Sequence, residues 1–253
     1  MIARLDLNAD LGEGFGHWAA GDDEALLAVV SSANVACGFH AGDPVIMRRV
    51  CEQAVHRNVS IGAQVSYRDL VGFGRRRIEM APDELTAEVL YQIGALDGFA
   101  RAAGDRVRYL KPHGALYHAA ATDPAQAGAL VAAVQAWPEP LPVLTLPGGE
   151  LHRQAIAAGL ACYLEAFADR GYLPDGNLQS RREPGAVLTD PAVITERVRR
   201  LAESGALVAV DGTVLDPRPD SLCLHGDTPG AVAIARAVRA TLEQAGVEIT
   251  RFA

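Results

Sequence analysis

Short apolar runs alternate along the chain with longer amphipathic stretches. The runs at 3–8, 32–36, 59–64, 107–111, 142–146, 162–166, 207–210 and 221–225 have strand length. Between them lie segments with helix-start signals. Asp43-Pro44, Asp123-Pro124, Asp190-Pro191 and Thr228-Pro229 each set a capping side chain before a proline, and Pro82-Asp83-Glu84 puts proline and two acids in a first turn. A proline there forfeits no hydrogen bond, and the cap accepts from an otherwise orphaned N–H. The helix opening at Asp43 is expected to run to about Arg57. Strand then helix, repeated seven or eight times, predicts a parallel sheet covered by helices.

A chain of 253 residues fits one α/β barrel or two small domains. No Ser/Gly tract, charge block or low-complexity run divides it, so residues 1–253 are expected to form one domain around one core. No Gly-x-Gly-x-x-Gly follows the first run, which disfavours an open dinucleotide-binding sheet. A barrel brings the C-terminal ends of its strands to one mouth. Polar clusters sit at those ends: Asn8-Ala-Asp10-Leu-Gly-Glu13, Cys37-Gly-Phe-His40-Ala-Gly-Asp43, Gln64-Val-Ser-Tyr67-Arg68-Asp69, Lys111-Pro-His113-Gly, Glu165-Ala-Phe-Ala-Asp169-Arg170 and His225-Gly-Asp227-Thr228. Each follows a strand and precedes a helix, and this one-sidedness predicts a catalytic face.

Composition narrows the function. A hydrophobic content of 49% with 21% charged residues is globular. A net charge of −8 and a pI near 5.4 disfavour nucleic acid or anionic membrane as partner. The first ten residues turn acidic, and no apolar run reaches the roughly 18 residues of a spanning helix. A cytoplasmic enzyme without a leader is expected. Cys37, Cys51, Cys162 and Cys223 are far apart, which predicts neither disulfides nor a zinc knuckle.

Lys111 is the only lysine among 23 basic residues. Lysine kept where every other cation is arginine marks a place for a compact, tunable ammonium, unless composition bias left it by chance. His40, His113 and His225 lie in the strand-end clusters and, with Asp10 and Glu13, could bind a divalent metal, although no His-x-His or His-Glu-x-x-His fixes a geometry. Asp43 and Thr228 read equally well as helix caps. Two glycine-bounded loops look like lids: 66–79, with Arg68, Arg75, Arg76 and Arg77, and 169–185, with Arg170, Arg181 and Arg182. They suit a small carboxylate or phosphate, or are ordinary solvated loops. The amide-rich start of the last helix, around His225 to Thr228, could hold an anion. No phosphate-binding Gly-x-x-x-x-Gly-Lys-Ser/Thr loop is present.

Taken in order, Asp6-Leu-Asn-Ala-Asp-Leu-Gly-Glu-Gly-Phe-Gly, Ser32-Ala-Asn-Val-Ala-Cys-Gly-Phe-His-Ala-Gly-Asp-Pro, Leu70-Val-Gly-Phe-Gly-Arg-Arg, Lys111-Pro-His-Gly-Ala-Leu-Tyr, Glu165-Ala-Phe-Ala-Asp-Arg and His225-Gly-Asp-Thr-Pro-Gly-Ala closely resemble the LamB/YcsF family over residues 5–235. The resemblance implies a distorted seven-stranded (β/α) barrel similar to the glycoside hydrolase and deacetylase group. It also implies a 5-oxoprolinase that, with partner subunits B and C, opens the lactam of 5-oxo-L-proline to L-glutamate while ATP becomes ADP and phosphate. ATP would be a co-substrate, with Mg2+ in the complex, and a tightly bound metal is left open. Two departures stand out. The family's Ala-His-Pro-Ser-Tyr reads Ala63-Gln-Val-Ser-Tyr67 here, and Gln179-Ser180 replaces its Val-Pro before Arg181. Gln64 weakens any metal site, since an amide is a poor ligand for zinc-like ions.

On this reading Asp10, His40, Lys111, His113 and Asp227 are the expected catalytic residues. Asn8, Glu13, Gln64, Tyr67, Arg75, Arg181 and His225 are the expected substrate-binding ones. Asp10 or His40 would activate water and His113 would protonate the leaving nitrogen. Lys111 and the amides near Asp227 would stabilise negative charge, and a lid arginine would grip the carboxylate. Three rivals remain at this stage: a metal-dependent amidase or deacetylase with Asp10, His40 and His113 on the ion, a Schiff-base lyase built on Lys111, and a non-catalytic subunit that presents substrate.

Overall fold

The computed structural model describes residues 2–228 and 230–253. Its first strand, β1 (Arg4–Leu11), shows how the sequence builds the architecture. Leu5, Leu7, Ala9 and Leu11 alternate with Asp6, Asn8 and Asp10, and both sets are buried. Such alternation ordinarily marks a strand with one wet face. Here the polar set turns into a barrel and finds partners there: Asn8 donates to Ser221 Oγ at 2.6 Å and accepts from Asn34 Nδ2 at 2.7 Å. The apolar set packs under the surrounding helices.

β2 (Ser32–Ala36), β3 (Ser60–Val65), β4 (Tyr109–Pro112), β5 (Val143–Thr145) and β6 (Cys162–Phe167) follow β1 in parallel, each beside the last. The chain then leaves the ring for an antiparallel pair, β7 (Leu207–Val208) and β8 (Val214–Leu215). It returns as β9 (Ser221–Leu224), which pairs with both β6 and β1 and closes a seven-stranded barrel. β10 (Glu248–Ile249) adds to the start of β1. The run at 207–210 is therefore not a barrel strand, as its apolarity suggested. Asp211 accepts from the Thr213 N–H at 3.0 Å and Gly212 sits at φ 91°, so an Asp-Gly turn folds the run back on itself as a hairpin.

Eight helices are described: α1 (Asp23–Leu27), α2 (Pro44–His56), α3 (Pro82–Ala102), α4 (Gly114–Thr122), α5 (Pro124–Ala136), α6 (Glu150–Ala157), α7 (Pro191–Ser204) and α8 (Ala231–Gln244). Asp43, Asp123 and Asp190 cap α2, α5 and α7 as the Asp-Pro pairs predict. Thr228 does not cap the last helix. α8 starts three residues later behind Gly230, which sits at φ 78°, and Pro229 lies outside the described residues. α1, α4 and α6 were not foreseen: neither His113 nor Gly149 makes a side-chain cap, and α1, though capped by Asp22, is only 5 residues long.

The N-terminal end of the barrel is stoppered. Phe252 packs at a tilt between Tyr109 and Tyr163, with ring centroids 4.7 and 4.8 Å away, and Ser60 Oγ donates to the Ala253 carbonyl at 2.6 Å. Gly62 of β3 makes this possible: a Cβ there would run into the Tyr109 ring, which crosses the barrel to donate its hydroxyl to Asn34 Oδ1 at 2.6 Å. Access is left to the opposite end. Among the described residues no helix is long and apolar enough to cross a membrane.

Candidate active site

Side chains from four strands meet at Lys111. Its ammonium donates to Asn8 Oδ1 and Cys223 Sγ, both at 3.1 Å, and pairs with Glu165 at 2.9 Å and Asp10 at 3.5 Å. Burial alone would favour the neutral amine, but Asp10, Cys223 and Glu165 together outweigh it and raise the lysine well above its usual value. A lysine held as an ion-paired cation is a poor Schiff-base nucleophile, which argues against the lyase reading. The side chain is only 3% exposed, beneath Asp10 and not at the mouth. Lys111 thus lies one tier below the mouth, behind Asp10.

Above Lys111 two carboxyl groups are driven apart. Burial would raise Asp10, but the Lys111 charge and His113 dominate and hold it well below the usual carboxylate range. Burial and the charge of Asp10 push Glu13 well above that range. Asp10 therefore favours the ionised form and Glu13 the protonated one. His113 Nδ1 lies 3.6 Å from Asp10 Oδ2 and 3.5 Å from Glu13 Oε1, between the two. His40, pushed well below its usual value by burial and then by His113, is a neutral imidazole and a poor choice of base.

Gln64, level with Lys111 on the adjacent strand, ties this group together. Its Nε2 donates to Glu13 Oε1 at 2.9 Å and to His113 Nδ1 at 3.0 Å, while its Oε1 accepts from His40 Nε2 at 3.2 Å. On the far side of the barrel His225 Nδ1 meets Asp169 at 2.9 Å and its ring stacks on Phe167.

The 66–79 loop covers the centre. Gly74, at φ 66°, passes so close to the two imidazoles that a Cβ would lie 2.9 Å from His40 Cβ and 3.2 Å from His113 Cδ2. The loop is pinned by its own arginines: Arg75 to Asp227 at 2.5 Å, Arg77 to Asp123 at 2.8 Å, and Arg76 to Asp69. Only Arg75 of these is close enough to Glu13 and His40 to affect their protonation, so it is the cation at the mouth. Burial would raise Asp169 and Asp227, but His225 lowers the first and Arg75 the second, with Arg181 of the second loop a further cation near both. The second loop is itself held by buried Arg170, which donates to the carbonyls of Gln179 at 2.7 Å and Ala186 at 3.0 Å.

Asn8, Asp10, Glu13, His40, Gln64, Lys111 and His113 thus form one network, with Arg75 and Asp227 at its rim and His225 beside it. Tyr67 does not join them. Its hydroxyl donates to Gln126 Oε1 of α5 at 2.9 Å, so this fully buried ring anchors the lid to a helix and is corrected from a substrate contact to a structural one. Sequence reasoning left out Glu165, Asn34 and Asp169. Glu165 and Asp169 stood in a strand-end cluster of their own, whereas Asn34 lies inside a strand and looked like part of an apolar run. The metal set also shifts: the ligand-type atoms that converge within 4.8 Å belong to Glu13, His40 and His113, not to Asp10. As they stand these atoms do not suit an ion, since the Gln64 amide already occupies them.

Fold and site together define a (β/α) barrel protein with a buried acid–base centre at the C-terminal mouth. The chain belongs to the LamB/YcsF family, which residues 5–253 match. A Mycobacterium avium protein that bears the name of the A subunit of 5-oxoprolinase is 61% identical over 251 residues, covering 99% of this chain and 100% of that one. The crystal structure of a lactam utilization protein from Thermus thermophilus is 45% identical, with a TM-score of 0.93 over 98% of this chain and 100% of that chain. A family 4 carbohydrate esterase from Streptomyces lividans, at 12% identity, TM-score 0.50 and coverage of 99% of this chain and 93% of that one, shares the fold alone.

Proposed function

We propose that this chain is the A subunit of a cytoplasmic 5-oxoprolinase and that its mouth opens the lactam ring of 5-oxo-L-proline. The observation that carries the reading is the full-length likeness to relatives of that name, 61% identical in the Mycobacterium avium protein. The paired Asp10 and Glu13 supply the chemistry that a lactam demands. A lactam resists water because its amide is resonance-stabilised and its nitrogen leaves poorly. Phosphorylation of the lactam oxygen by ATP, in the complex with subunits B and C, removes that resonance.

In the barrel, Asp10 takes a proton from water as the oxygen attacks the activated carbon. The carbon–nitrogen bond then breaks as Glu13 gives its proton to the departing nitrogen and the adduct's hydroxyl proton leaves to solvent, so that an acyl phosphate and a free amino group remain. Proton exchange with solvent, once the loop lifts, returns Asp10 to its ionised form and Glu13 to its protonated one. A second water releases phosphate from the acyl phosphate and leaves glutamate. Arg75, released from Asp227, grips the substrate carboxylate. Because the site residues are buried beneath Phe73 and Gly74, the 66–79 loop must lift to admit substrate.

The test is reconstitution: the chain, subunits B and C, ATP and 5-oxoproline, with glutamate and ADP both measured against each omission. Glutamate is expected only from the full mixture, and Asp10→Asn within an intact complex should lower it roughly 100-fold or more. An intact complex that yields no glutamate, or one indifferent to Asp10→Asn, would refute the proposal.

A further inference from the structure

Glu13, His40 and His113 present one carboxylate oxygen and two ring nitrogens within 4.8 Å of one another, the donor set of a divalent-cation site. Two features of their geometry turn that set to another use.

The first is the hydrogen-bond logic around Gln64. His113 Nε2 faces the Phe73 carbonyl at 3.1 Å, and a carbonyl only accepts, so the ring's proton sits on Nε2 and Nδ1 offers a lone pair. Gln64 Nε2 fills that lone pair at 3.0 Å and turns its second hydrogen to Glu13 Oε1 at 2.9 Å. The amide oxygen is then left to accept from His40 Nε2 at 3.2 Å. One ligand-type atom of each triad member, Glu13 Oε1, His40 Nε2 and His113 Nδ1, is thereby engaged by the same side chain, and each bond is consistent with the next. Within the triad only His40 Nδ1, on the other side of its ring, is buried without a partner.

The second is ring orientation. The two imidazoles are stacked with centroids 4.2 Å apart and planes 17° from parallel. A nitrogen lone pair lies in the plane of its ring, so an ion bound by both rings must lie in both planes. Planes stacked this closely to parallel do not meet within bonding distance of either nitrogen.

We infer that the Gln64 carboxamide stands in the place of a cation at the centre of Glu13, His40 and His113, fixing both rings as Nε2–H tautomers and leaving this centre without a resident metal. Gln64 is a positioning residue on this account, and the barrel performs its acid–base work with a neutral amide where a metal barrel would hold a dication. Magnesium that arrives with a nucleotide is separate from this site. The inference does not depend on the substrate, so its test can fail without touching the oxoprolinase reading.

Cobalt and zinc ions are titrated separately into the chelator-stripped full chain, followed by calorimetry and by the visible spectrum of cobalt. The wild-type chain should show no equivalent bound more tightly than about 1 mM at this centre. One equivalent bound at micromolar concentration, and lost in both His113→Ala and Glu13→Gln, overturns the inference. Gln64→Glu keeps the shape, deletes both N–H donors and adds a carboxylate; with the amide no longer holding the rings stacked they are free to turn toward an ion, so the variant should bind one cobalt ion roughly 100-fold more tightly than wild type. A folded Gln64→Glu chain with no gain in cobalt affinity also overturns it, because the amide is then not what keeps the ion out. Should that variant fail to fold, long-range ¹H–¹⁵N spectra of wild type decide: Nε2–H on both rings is expected, and Nδ1–H on His113 contradicts the network.

Discussion

Replacing Lys111 by methionine keeps most of the side-chain volume and removes the charge. At an effective dielectric near 20, an ion pair at 3.5 Å and another at 2.9 Å are each worth roughly 5 kcal/mol before desolvation is subtracted. Removing one partner of a buried pair costs about 3–5 kcal/mol, because the abandoned charge stays buried. Lys111→Met is therefore expected to lose about 3–5 kcal/mol near pH 8, a large share of a typical domain's stability. The pH dependence carries the diagnosis. In wild type the lowered Asp10 contributes stability above its unfolded value that is lost as pH falls. Without Lys111, burial raises Asp10 and Glu165, and stability relative to wild type recovers as pH drops and both take up protons. The penalty should thus shrink between pH 8 and pH 5, and Lys111→Met with Glu165→Gln should restore at least ~1 kcal/mol. Urea unfolding followed by circular dichroism at both pH values measures this. A penalty under ~1 kcal/mol at pH 8, or one identical at pH 5, refutes the account of Lys111 as the counter-ion of two buried carboxylates.

Two further outcomes follow from the barrel interior. Burial raises Asp6 from 3.8 to about 6 despite hydrogen bonds from Ser221, Ser31 and Ser32. Stability from that group is fully present below 3.8 and lost as pH rises through about 6, so Asp6→Asn, which cannot titrate, should gain on wild type by roughly 2.5 kcal/mol between pH 4 and pH 7.5 in paired denaturation curves. An unchanged difference between the two curves would contradict it. Gly62→Ala should cost ~1–3 kcal/mol by pushing the Tyr109 ring off Asn34, and the cost should largely vanish in a Tyr109→Ala background, a double-mutant cycle that additive losses would sink.

Much of this molecule was legible in its sequence because the informative signals are local. Asp-Pro pairs fix helix starts through one side chain and one ring, and Asp43, Asp123 and Asp190 do as they promise. Strand-end clusters gave the mouth for a topological reason, since parallel strands all point the same way. The misses are non-local. Tyr67 sits in the same cluster as Gln64, yet its partner is Gln126, 59 residues away, and nothing near Tyr67 announces that. The 207–210 run has strand composition, but whether a short strand joins a ring depends on what competes for its edge. Glu165 stood in a strand-end cluster, but its pairing with Lys111, like the bonds of Asn34 to Asn8 and Asp10, exists only once the barrel closes.

That closure also explains the chain's single lysine. An ammonium here has four partners, contributed by β1, β6 and β9, within 3.5 Å of one atom. A tetrahedral point donor on a slim stem can face them at once. A planar guanidinium is wider, directs its donors in one plane, and would have to displace Asn8 or Cys223 to enter a space that is 3% open. Elsewhere the arginines pair at the surface or pin loops through carbonyls, where a fork serves well. Composition alone left chance as a rival explanation for Lys111. The buried tier removes it, because position 111 is where arginine does not fit, and Lys111→Arg should therefore fold less stably than wild type even though the charge is kept.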